Sequence, residues 1–235
     1  MLVKTSRMSD ANRLASWARR LVPLTFLILS LAGCNQKDSS ITSKDFDGDE
    51  TAGAKVKTGV KPAPDSQVAV IETADYGRIV IELYPNVAPQ MVERFKKLIN
   101  EHFYDGTAFH RVDPELGIIQ GGDPQTKGAN VSLYGTGNSP YSNVPAEFSD
   151  IPYDRATVGA ARTSDVNTAN CQFFITLKRQ PAFDQKYTVF GRVIDGLKNA
   201  EIIMGAPTVQ GTERPSDKVV IKSVTLQPRA NFPAQ

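Results

Sequence analysis

From Val68 onward the hydrophobic and polar positions fall into short, distinct rhythms. Residues 68–73 and 78–84 are two β-rich runs joined by a turn through Asp75 and Gly77, and together they predict a hairpin. The period then lengthens. Val87, Met91, Val92, Phe95, Leu98 and Ile99 share one helical stripe, with Glu93, Arg94, Lys96 and Lys97 off it. Asn86 is the expected cap of that helix, and Pro89 fits its first turn. Residues 128–153 are rich in Gly, Asn, Ser, Tyr and Pro and predict loop. Short strands follow at 157–162, 171–175 and 189–193, a second helix at 197–204, and closing strand pieces at 219–221 and 224–226. Many short strands broken by turn residues, with only two helices, favour a mainly β, closed antiparallel barrel.

Three strand-like runs carry polar groups unsuited to a plain core. Phe109-His110-Arg111-Val112 and Ile118-Ile119-Gln120-Gly121-Gly122-Asp123 flank a turn, setting one arginine and one glutamine at the two ends of an apolar hairpin. Cys171-Gln172-Phe173-Phe174-Ile175 supplies a second glutamine between aromatics. Strand alternation makes Phe109 and Arg111 share one face, as do Gln172 and Phe174, and together they make a wall, while His110, Cys171 and Phe173 turn inward. One guanidinium, two carboxamides and an apolar floor suit a polypeptide better than a phosphate. His102 and His110 form no cluster with metal-ligand spacing, and no Ser/His/Asp or Cys/His arrangement stands out. Neither a metal nor a cofactor is therefore expected.

The front of the chain is different in kind. Residues 1–20 carry Lys4, Arg7, Arg13, Arg19 and Arg20 against Asp10 alone, and residues 21–31 are apolar. That run is about half of the ~20 residues that a membrane span needs, so residues 1–33 read as a secretory signal. The formal net charge of the whole chain is +2. With residues 1–33 set aside, 22 basic and 24 acidic side chains remain, and a slightly acidic body argues against nucleic acid as partner. Residues 34–67 are polar with one aromatic, Phe46, and predict a flexible tether. Of the two cysteines, Cys171 is expected to be a small buried hydrophobe.

Phe-His-Arg-Val, Gln-Gly-Gly-Asp, Gln-Phe-Phe-Ile and Val-Phe-Gly-Arg-Val, in that order, resemble the motifs of the cyclophilin family of peptidyl-prolyl cis-trans isomerases, over about residues 68–226. The resemblance implies an eight-stranded barrel capped by two helices, with a peptide groove on its outer wall and a domain spanning 68–228 before a tail at 229–235. It implies Arg111 as the catalytic residue. It also implies a groove formed by Phe109, Ile118, Gln120, Ala161, Arg162, Gln172, Phe174, Phe183 and Tyr187, with Phe174 as the floor of a proline pocket and Gln120 holding Arg111. Residues 31–34, Leu-Ala-Gly-Cys, resemble the lipobox of bacterial lipoproteins, which implies lipidation of Cys34. The expected protein is then a monomeric isomerase acting on proline-containing polypeptides, anchored by lipid in a bacterial envelope, on the periplasmic face of the outer membrane. The alternative is a cyclophilin-fold peptide-binding chaperone with weak or no isomerase activity. Several positions depart from the family pattern. Arg111 to Gln120 is one residue longer than usual, Leu116-Gly117 stands where a pocket phenylalanine is common, and Ala182 stands where tryptophan is common.

Overall fold

A computed structural model describes residues 54–233. The signal segment, Cys34 and most of the predicted tether lie outside the described residues, as do residues 234–235. Nine strands form one antiparallel sheet: β1 (Gln67–Thr73), β2 (Arg78–Leu83), β3 (Ala108–Phe109), β4 (Arg111–Asp113), β5 (Ile118–Gly121), β6 (Thr157–Ala160), β7 (Phe173–Thr176), β8 (Val189–Asp195) and β9 (Val219–Pro228). Their order across the sheet is β3-β9-β1-β2-β8-β6-β7-β5-β4. The edge strands β3 and β4 are consecutive in the chain, and Ala108 also bridges Asp123 just beyond β5, so the sheet curls nearly closed.

The ninth strand arises at His110. One run was expected across 109–112, but β3 pairs with β9 whereas β4 pairs with β5. The chain crosses from one sheet edge to the other at this residue, and alternation does not survive the crossing. The sequence-predicted sharing of a face by Phe109 and Arg111 is corrected accordingly. Phe109 packs in the barrel core, its ring 6.0 Å from that of Phe173.

Helix α1 (Pro89–Asn100) buries Met91, Val92, Phe95, Leu98 and Ile99, the stripe read from the sequence. The Phe95 ring lies 5.2–5.5 Å from Tyr104, Phe173 and Phe190, joining helix to barrel. Helix α2 (Leu197–Met204) adds Ala200 and Ile203 to the same core. Asn86 does not cap α1. Its side chain accepts from Ala63 N at 2.9 Å and donates to Lys61 O at 2.9 Å. The helix start is capped from a distance instead, by Glu147, whose carboxylate accepts Gln90 N at 3.2 Å and Met91 N at 2.9 Å.

The packed body extends beyond 68–228 at both ends. Residues 54–66 lie along the domain without being helix or regular strand. Lys57 N donates to Phe148 O at 2.9 Å, Lys57 O accepts from Asp150 N at 3.0 Å, and Asp65 N donates to Leu83 O at 2.9 Å. Lys57 Nζ reaches Val87 O at 2.7 Å, and Lys96 Nζ reaches Asp65 at 2.9 Å. This stretch was expected to belong to the tether. Its polar groups find fixed partners on the body, and those bonds offset the entropy that composition alone suggests it cannot overcome. The expected C-terminal tail is likewise seated: Phe232 packs against Val68, Val70 and Val80, and Arg229 pairs with Glu82.

Candidate active site

Register builds the site. Arg111 of β4 lies opposite Gln120 of β5, which lies opposite Phe174 of β7, which lies opposite Gly159 of β6. Directly opposed residues in antiparallel strands project to the same face. The four therefore form a single transverse row on the outer wall, with a step of about 4.8 Å per strand. The neighbouring row, Val112, Ile119, Ile175 and Val158, faces the barrel core. The extra residue between Arg111 and Gln120 is absorbed in the turn 114–117, so it does not shift this alignment.

Around Phe174 an apolar cluster collects Ile118, Ala161, Phe183 and Tyr187, all named from the sequence, together with Val189 and Tyr153. The Phe183 and Tyr187 rings meet Phe174 edge-on at 5.5 and 5.6 Å, while Tyr153 stacks on it at 5.5 Å. Leu116 packs against the same cluster, and its carbonyl accepts from Gln180 Nε2, tying the 114–117 turn to the far side. Phe174, Ile118 and Phe183 are fully buried. Ala182 stands exposed on the turn Pro181–Phe183.

Tyr153 was missed by sequence reasoning because it sits in the stretch read as loop, where no periodicity marks a face. The one available signal was Gly159, since glycine inside a strand marks a close approach. A Cβ there would fall 2.5 Å from both Phe174 Cζ and Tyr153 Oη. Burial raises the Tyr153 hydroxyl well above its ordinary pKa, and the oxygen has no hydrogen-bond partner among the described residues.

The polar residues divide the work differently from expectation. Gln120 does not hold Arg111. Its Nε2 donates to Gln172 Oε1 at 3.0 Å, and Gln172 Nε2 donates to the carbonyls of Gly135 and Gly137, each at 2.9 Å. Gln120 Oε1 is buried and has no partner among the described residues. Arg111 is held instead by Glu213 at Nε and by Asp113 at Nη2, the latter at 3.1 Å. Its Nη1 is also buried, with no partner among the described residues. Nothing in the pattern of residues 205–218 pointed to Glu213, which is brought in by a turn distant in sequence. The Arg162 guanidinium donates to the carbonyls of Lys186, Thr163 and Ser164 and lies 4.4 Å over the Tyr187 ring. It buttresses the cluster. Phe109 lies in the core, as described above, and does not line this wall. Cys171 is in the core too, and its burial pushes the thiol up to about 12.

Residues 68–226 match the family described as cyclophilin type peptidyl-prolyl cis-trans isomerase/CLD. The chain belongs to the cyclophilin family. A probable peptidyl-prolyl cis-trans isomerase of Brucella suis is 39% identical over 163 residues, covering 67% of this chain and 83% of that protein. A peptidyl-prolyl cis-trans isomerase of Schizosaccharomyces pombe is 39% identical over 153 residues, covering 64% of this chain and 94% of its own. Among solved structures, a cyclophilin type isomerase of Cryptosporidium parvum, crystallised in the presence of the dipeptide Ala-Pro, superposes with a TM-score of 0.60 at 28% identity, covering 68% of this chain and 98% of that one. This cyclophilin is accordingly a peptidyl-prolyl cis-trans isomerase, built as a nearly closed barrel of nine strands with two helices.

Proposed function

We propose that this cyclophilin isomerises X–Pro bonds in polypeptides outside the cytoplasm, with Arg111 as its catalytic residue and Cys34 as its lipid anchor. Rotation about an X–Pro bond faces a barrier of about 18–20 kcal/mol set by amide resonance. No bond need break. As the amide twists, the proline nitrogen becomes pyramidal and gains a lone pair, so a fixed N–H donor that meets this lone pair favours the twisted state over either planar one. Arginine suits the task because it stays charged and its fork is rigid.

The observation that carries the reading is the pair of polar atoms without a partner among the described residues, Nη1 of Arg111 and Oε1 of Gln120, in one row with the Phe174 cluster. A donor, an acceptor and an apolar patch in one row match a proline nitrogen, a peptide N–H and a proline ring. Crystallisation of the Cryptosporidium relative in the presence of Ala-Pro supports a proline-containing substrate. Arg111→Ala should lower kcat/KM on an X–Pro peptide by at least ~10²-fold, a loss of about 2.7 kcal/mol. Full activity in that variant would remove the arginine-centred mechanism. Anchoring rests on the Leu-Ala-Gly-Cys motif. Cys34→Ser should release the protein from membranes with its isomerase activity intact, and unchanged membrane association would overturn the anchor.

A further inference from the structure

The clamp on Arg111 is built from parts that are themselves fixed. Asp113, two residues along β4 on the same face, accepts from Nη2 at its Oδ2 at 3.1 Å while its Oδ1 accepts the Leu116 N–H at 2.8 Å. Glu213 takes Nε, and its own carbonyl accepts the Val112 N–H at 2.8 Å, immediately beside Arg111. The turn that carries Glu213 is closed by Val209 N to Arg214 O at 2.9 Å and by Ser216 N to Pro207 O at 2.7 Å. Only 5% of the Arg111 side chain is exposed, so the cation needs paired charge to be buried at all. With Nε and Nη2 engaged, Nη1 is the guanidinium nitrogen with no partner among the described residues.

We propose that Asp113 and Glu213 are positioning residues for the isomerase reaction, locking the Arg111 fork in one orientation, with Nη1 left for the substrate. The proposal rests on the reading of Arg111 as the catalytic residue. A guanidinium freed from one carboxylate can rotate, and a donor that acts only in the twisted state then loses its orientation. The cost falls on turnover and spares ground-state binding.

The two carboxylates differ usefully as test sites. Asp113 is buried and also holds the 114–117 turn, whereas the Glu213 side chain is 49% exposed on a surface turn. Glu213→Gln therefore tests the clamp with little risk to folding. Asp113→Asn should lower kcat by about tenfold and Glu213→Gln by roughly three- to tenfold, each with KM within about twofold, the signature of an interaction made in the transition state. Each substitution is then repeated in the Arg111→Ala background. Residues that act through Arg111 should there change kcat/KM by less than about twofold, because their partner is gone. An equal loss in both backgrounds would show a general structural effect and overturn the proposal. So would wild-type kcat in Glu213→Gln and Asp113→Asn. If Arg111→Ala itself keeps full activity, the catalytic reading falls and takes the clamp with it. If Arg111→Ala is impaired and neither carboxylate matters, only the clamp falls.

Discussion

One missing methyl group shapes the wall of this site. Gly159 lies opposite Phe174, and the space its side chain would fill is taken by the Phe174 ring edge and the Tyr153 hydroxyl. Gly159→Ala should destabilise the protein by about 1–3 kcal/mol through overpacking and should lower X–Pro turnover by displacing Phe174. Thermal melting and a peptide assay read the two effects separately, and an unchanged melting temperature would show that the stack has room to give. The Tyr153 hydroxyl is buried without a partner, so Tyr153→Phe removes an unsatisfied group and keeps the ring. That variant should melt at or slightly above the wild-type temperature. Combined with Gly159→Ala it should recover part of the lost stability, since it removes one of the two clashes. A melting temperature lowered by Tyr153→Phe alone would mean that the hydroxyl is doing structural work that this geometry does not contain.

Among the elements, α1 shows how a helix can depend on a residue far from it in sequence. Ala88 offers no side-chain cap and the first turn has no acidic residue, so the open N–H groups fall to Glu147, reaching in from the 128–153 loop. The carboxylate both accepts two N–H bonds and faces the positive end of the helix dipole. Glu147→Ala should cost about 1–2 kcal/mol, seen as a lower denaturation midpoint. Asn86→Ala, at the position where the sequence pattern predicts the cap, should leave α1 intact and loosen only residues 61–63. Hydrogen exchange in α1 distinguishes the two, and equal protection loss in both variants would contradict the assignment. The β3–β4 break at His110 is the other departure at this scale. It splits one apolar run into two strands with different partners, and so sends Phe109 to the core and Arg111 to the wall.

Across the whole molecule, both ends of the described chain are fastened to the barrel. Residues 54–66 are held at Lys57, at Lys61 and Ala63 through Asn86, and at Asp65. At roughly 0.5–1.5 kcal/mol net per bond, less the cost of ordering the segment, a chain started at residue 67 should be less stable by about 2 kcal/mol than one started at residue 54. For a domain of this size that corresponds to a fall of roughly 4–8 °C in Tm. Isomerase activity at 25 °C should be unaffected, because none of these residues belongs to the Arg111–Gln120–Phe174 row. Equal melting temperatures would show that the segment rests on the surface without stabilising it.

The sequence by itself determined the periodic features. The β1–β2 hairpin, the buried stripe of α1, the span of α2 and the inward turn of Cys171 and Phe173 all follow from local spacing, because each is a matter of which residues share one face of one element. The four motifs likewise sufficed to mark Arg111, Gln120, Gln172 and Phe174 as residues to watch. Only the tertiary structure decided what those residues touch. Whether Gln120 holds Arg111 or Gln172, which carboxylates grip the guanidinium, what lies behind Phe174 and what caps α1 depend on Asp113, Glu213, Tyr153 and Glu147. Two of these, Tyr153 and Glu147, lie in a segment read as loop, and Glu213 lies between the second helix and the last strand. Loops carry no repeating pattern, so their side chains acquire partners only when barrel closure brings distant stretches together. Strand register did the rest: it turned residues scattered from 111 to 174 into one row, a relation between strands that the spacing within any one of them does not contain.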